Sequence, residues 1–78
     1  MALLKKRSLV LAGHGTSLAL EPEFWTVLDA LAAARGLSHA ALIAAIDAER
    51  GARPLASACR LAALTFAATQ AGQAHPQG

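Results

Sequence analysis

At 78 residues the chain has room for one domain, and a core of that size is marginal without a staple or a partner chain. The one cysteine, Cys59, excludes an intrachain disulfide, and a net charge of +2 with a pI of 9.3 is modest for a strongly electropositive nucleic-acid binder. With 55% hydrophobic residues and a mean hydropathy of +0.42, the expectation is an obligate homodimer that buries the surplus apolar surface.

Lys5, Lys6 and Arg7 form a basic cluster, read as an N-terminal arm over residues 1–7. A phosphate-binding arm and a merely solvated terminus are both open readings of it. Leu9-Val10-Leu11 behind it imitates the opening of a signal peptide. The apolar run stops at Gly13-His14-Gly15, however, short of the roughly 7–15 residues of a signal core. No stretch approaches the roughly 18 apolar residues of a membrane span, so no membrane partner and a cytoplasmic location are expected.

The domain proper is expected over residues 8–68. Ser8 to Ala12 suits a short strand, and Gly13-x-Gly15 a turn rather than a phosphate cradle, because no Lys-Ser/Thr pair and helix follow it. Thr16 to Leu20 alternates, with Leu18 and Leu20 on one face and Gly15, Ser17 and Ala19 on the other. Whether Ser8 to Ala12 pairs with this strand or with another chain stays open. Pro22 and Glu23 suit the first turn of a helix. Phe24, Trp25, Leu28, Leu31 and Ala32 then recur at helical spacing up to Arg35, and Gly36 supplies the stop. Of the adjacent Phe24 and Trp25, one is expected in the core and the other at a dimer interface.

Ser38 is a suitable N-cap, with Leu37 placed to staple Leu42. A second helix follows through Ile43 and Ile46 to about Arg50. After the connector Gly51 to Pro54, a third helix carries Leu55, Cys59, Ala62 and Phe66 on one side, with Leu61 and Leu64 nearby. Residues 69–78 have neither period nor large apolar groups and read as a disordered tail.

This ordered set of elements resembles the ribbon-helix-helix superfamily of Arc/MetJ-type repressors. Lys6 to Arg50 is similar to one bacterial branch, with an AGH-x-TS strand (Ala12 to Ser17), an E-x-x-FW helix start (Glu21 to Trp25) and an ARGLS turn (Ala34 to Ser38). Members of that branch tend to continue with a third helix, as LASACRLAALTF does here. The resemblance implies a mainly α fold with a short N-terminal β-ribbon, formed as an intertwined homodimer. It also implies DNA binding, with the ribbon in the major groove and the start of the second helix, Ser38 and His39, offering backbone N–H groups to a phosphate.

The DNA-binding set so implied is Lys5, Lys6, Arg7, Gly15, Ser17, Ala19, Ser38 and His39. It has an awkward place. The groove-facing Gly15, Ser17 and Ala19 lack the Arg, Lys, Asn or Gln that makes bidentate base contacts, and relatives often carry Arg where Gly15 stands. The primary expectation is therefore a homodimeric transcription regulator, repressor or antitoxin-like. The alternative is a protein-interaction module that keeps the dimer, has lost base readout and docks a partner or a second dimer through the third helix.

No cofactor, metal or catalytic role is expected. His14 and His39 lie far from other ligands at metal-binding spacing. Asp29, Asp47 and Glu49 form no pair with a base or nucleophile. Cys59 reads as a small buried apolar group.

Overall fold

The computed structural model describes residues 3–74. Two strands, β1 (Lys5–Leu11) and β2 (His14–Leu20), are followed by three helices, α1 (Pro22–Arg35), α2 (His39–Glu49) and α3 (Leu55–Ala74). The strands pair with each other as an antiparallel hairpin, Lys5 opposite Leu20, Ser8 opposite Ser17 and Leu11 opposite His14. The first strand therefore pairs with its own chain's second strand.

The turn sits one step earlier than Gly13-x-Gly15 implied. Ala12 (φ 52°) and Gly13 (φ 80°) form a two-residue loop between Leu11 and His14, the positive-φ pair of a type I′ turn whose twist matches the strands. Alanine in this left-handed region is strained by about 1–2 kcal/mol. Gly15 lies within β2 without positive φ.

Two boundaries correct the sequence reading. The expected arm of residues 1–7 is strand from Lys5 onward, and residues 1–2 lie outside the described part. The reason is a distant partner: the Trp25 indole N–H donates to the Lys5 carbonyl at 2.7 Å, holding the start of β1 against α1. The tail expected from residue 69 is helical as far as Ala74. Alanine and glutamine sustain helix by propensity without a buried face, and the side chains from Ala67 to Gly72 are exposed. Residues 75–78 lie outside the described part.

The first two helices begin and end where the punctuation placed them. Pro22 opens α1, and the Glu21 carbonyl before it accepts from Phe24 and Trp25 at 3.0 and 3.3 Å. Gly36, at φ 68°, closes it: its N–H bonds to the Ala33 carbonyl and that of Leu37 to the Ala32 carbonyl, the paired bonds of a Schellman stop. Ser38 caps α2, its hydroxyl accepting from the Ala41 N–H at 3.1 Å. The axes of α1 and α2 meet at 96°, within the range of helix-turn-helix pairs. No single described helix is long and apolar enough to cross a membrane.

The core lies between the inner face of the hairpin and the three helices. Leu9, Leu11, Leu18 and Leu20 come from the strands, Trp25, Leu28, Leu31 and Ala32 from α1, Leu42 and Ile43 from α2, and Cys59 and Ala63 from α3. Leu55, Ala62 and Phe66 pack against this cluster, giving α3 the apolar face its spacing implied. Of the adjacent aromatics, Trp25 is the one in the core. Phe24 is half-buried on its own chain's core with the Arg60 guanidinium 5.7 Å above its ring. Among the described residues the large apolar side chains left in solvent are Leu3, Leu4, Val10, Leu37, Leu61 and Leu64. Most of the large apolar side chains are thus covered within one chain, because the surplus in the composition was largely alanine on outward helix faces.

Candidate nucleic-acid interface

Alternation along two paired strands sorts every residue of the hairpin to one of two faces. The inner face carries the four leucines of the core. The outer face carries Lys6, Ser8 and Val10 from β1, opposite Ala19, Ser17 and Gly15 from β2. Of these only Ala19 is partly covered. This face is small and singly charged. No Asp or Glu occurs before Glu21, so Lys5, Lys6 and Arg7 are the only side chains with a permanent charge in or before the hairpin.

Those three cations are not equivalent. Arg7 falls on the inner side, where its guanidinium forms two hydrogen bonds to the Asp29 carboxylate at 2.8 and 3.0 Å and lies 4.4 Å over the Trp25 ring. It therefore braces β1 against α1 and is not available to a phosphate without breaking that clamp. The Arg7 hydrogen bonds hold the Asp29 carboxyl below its ordinary value, and the charge of His39 adds to the effect. Among the described residues neither Lys5 nor Lys6 has a side-chain partner.

The expected set thus divides. Lys6, Gly15, Ser17 and Ala19 share the outer face, Lys5 lies at the strand's beginning, and Arg7 is internal. Ser38 and His39 form the α2 start. Ser8 and Val10, outside that set, stand on the same outer face as Lys6. Carrying the alternation of Leu9 and Leu11 back through β1 would have placed both beside Lys6, but the basic run read as an arm.

Two further carboxylates, those of Glu21 and Asp47, are held in ion pairs. Glu21 takes the Arg60 guanidinium at 2.9 Å and Asp47 takes Arg50 at 2.6 Å. The backbone at Glu21 itself and then Arg60 hold the Glu21 carboxyl low. Burial, aided by Asp47, pushes the Cys59 thiol up to about 11, so it stays protonated and inert at neutral pH. Among the described residues no three His, Cys, Asp or Glu side chains gather as a metal site.

The model of the ribbon-helix-helix domain family matches residues 4–67, from before β1 into α3. The chain belongs to the ribbon-helix-helix domain family. That family generally comprises DNA-binding transcription regulators, and its domain is a regulatory rather than an enzymatic fold. No curated protein and no solved structure matches this ribbon-helix-helix chain.

Proposed function

We propose that the chain is a homodimeric transcription regulator, repressor or antitoxin-like, that lays its β-ribbon in the major groove of DNA. The observation that carries this reading is the hairpin's outer face: a two-stranded ribbon, the shape the major groove admits, with Lys6 at one end and no carboxylate. Lys5 and Lys6 supply phosphate attraction, and a second copy doubles it. The uncovered N–H groups at the start of α2, beside Ser38 and His39, suit a further phosphate. Dimerisation is favoured because both outer edges of the two-stranded sheet are unpaired within the chain, and such edges recruit another strand. Readout by Ser17, Gly15 and Ala19 is weak, so affinity rests largely on phosphate contacts.

Fluorescence anisotropy with random and own-promoter duplexes across a salt series tests the reading. Binding that weakens linearly in log salt is expected, with Lys6→Ala lowering the slope by about one unit per lost contact. No binding at about 50 mM salt, where phosphate contacts are strongest, overturns it.

Exposed Leu61 and Leu64 on α3 favour a second reading, an assembly module that docks a protein through that helix. Co-purification through a C-terminal tag separates the two: recovery of only homodimer and DNA removes the second.

A further inference from the structure

The end of α2 and the first half of α3 leave a cleft of about 230 Å³ between them. Its apolar lining is Ile46 from α2 with Ala58, Leu61 and Ala62 from α3. Leu61 is 42% exposed there, one of the few large apolar side chains left in solvent. Glu49, Arg50 and Arg53 supply the charged lining, and the connector that carries the arginines is tied together. Arg50 donates to the Asp47 carboxylate at 2.6 Å and to the Arg53 carbonyl at 2.8 Å. The Arg53 N–H returns a bond to the Arg50 carbonyl at 3.1 Å, closing a turn that Gly51 permits at φ 60°. A rim held in this way is preformed, which lowers the ordering cost of binding.

The charges of this lining say what it would take. Asp47 neutralises Arg50, which leaves one carboxylate, Glu49, and one guanidinium, Arg53. Among the described residues no ion pair joins these two, and Glu49 has no side-chain partner. Arg53 donates to the Ser57 hydroxyl at 3.4 Å, longer than a good hydrogen bond. Opposite charges that line one apolar cleft without pairing are complementary to a ligand that carries both signs. An anion alone would meet the Glu49 carboxylate, and a cation alone the two guanidiniums. The volume lies below the roughly 300–1,000 Å³ of sites for drug-sized molecules, so the ligand is small. We propose that this cleft binds a free α-amino acid with an apolar side chain. The ligand's carboxylate lies on Arg53, its ammonium on Glu49 and its side chain over Ile46 and Leu61. The site is separate from the ribbon, so the proposal stands or falls independently of DNA binding.

The test titrates the full 15N-labelled chain with L-leucine at about pH 6.5, where the α-amino group is charged. Saturable amide shifts are expected at Glu49, Arg53 and Leu61. Three further probes each lack one part of the ligand: glycine the side chain, leucinamide the carboxylate and 4-methylpentanoate the ammonium. Glycine should bind at least about tenfold more weakly than leucine. Leucinamide and 4-methylpentanoate should each bind about two- to fivefold more weakly, as the loss of one exposed ion pair implies. Arg53→Gln is expected to erase the difference between leucine and leucinamide while keeping that between leucine and 4-methylpentanoate. Glu49→Gln is expected to do the reverse. Both side chains are exposed, so the variants should melt within a few degrees of wild type by circular dichroism.

Leucine shifts that do not saturate, or that fall outside the cleft, overturn the proposal. Equal affinity for leucine, leucinamide and 4-methylpentanoate does so too, the result expected of an apolar surface kept for a protein partner. Variants that retain both wild-type differences likewise overturn it, because the charges would then have no part in binding.

Discussion

The two faces of the hairpin are made from the same fourteen strand residues and are opposites. The inner face presents Leu9, Leu11, Leu18 and Leu20, none more than 9% exposed. The outer face presents a lysine, two serines, a valine, a glycine and an alanine, nearly all in solvent. One face is fixed by packing, since each leucine fills space that water would otherwise occupy. The other has no packing obligation, so its residues are free to answer to whatever docks there. Stability should therefore be sensitive on one side of the ribbon and binding on the other.

The largest effect that would break this contrast is in the core. Leu20→Ala, at a fully buried site, should destabilise the chain by about 2–5 kcal/mol in urea denaturation. Ser17→Ala on the opposite face should stay within about 0.5 kcal/mol. Comparable losses at the two would show that the outer face is packed after all.

Gly15→Arg comes next. The site has ordinary backbone geometry and open space, so the arginine should be accommodated without loss of stability. A gain of about 1–3 kcal/mol in affinity for a duplex offering guanine O6 and N7 is expected by anisotropy. No gain with the fold intact would mean that the outer face does not enter the groove.

At the hairpin tip, Ala12→Asn should raise stability by up to about 1 kcal/mol, because asparagine tolerates the left-handed conformation that alanine resists. A lower melting temperature in calorimetry would contradict the type I′ geometry.

The smallest effect belongs to the clamp behind the ribbon. Asp29 is held below its ordinary value of 3.8 by Arg7, so its contribution is fully present above that value. It is lost as the pH falls through the lowered one. Asp29→Asn should flatten the stability–pH curve below about pH 4 and cost roughly 0.2–1 kcal/mol at neutral pH, as an exposed ion pair does. An unchanged acid limb would show that the pair contributes nothing.

Much of the fold was legible because its signals are local. Pro22, Gly36 and Ser38 act on their own backbone or within a turn of it, and the α3 face repeats every three or four residues. The start of β1 was not legible. Lys5 and Arg7 are ordered by Trp25 and Asp29, about twenty residues away, and no local pattern announces such partners. The turn was displaced because glycines flank His14, whereas the chain turns on Ala12, a residue without a left-handed preference. For the interface, the alternation of β2 identified Gly15, Ser17 and Ala19. In β1 the basic run masked the alternation that puts Ser8 and Val10 on the outer face and Arg7 on the inner one.

The most direct test of the ribbon's role is to titrate the uniformly 15N-labelled chain with a short duplex and follow backbone amide shifts. The account predicts the largest shifts at Lys6, Ser8, Val10, Gly15, Ser17 and Ala19, with smaller ones at His39 and none along the exposed side of α3. Shifts centred on Leu61 and Leu64, with the hairpin amides unmoved, would contradict it.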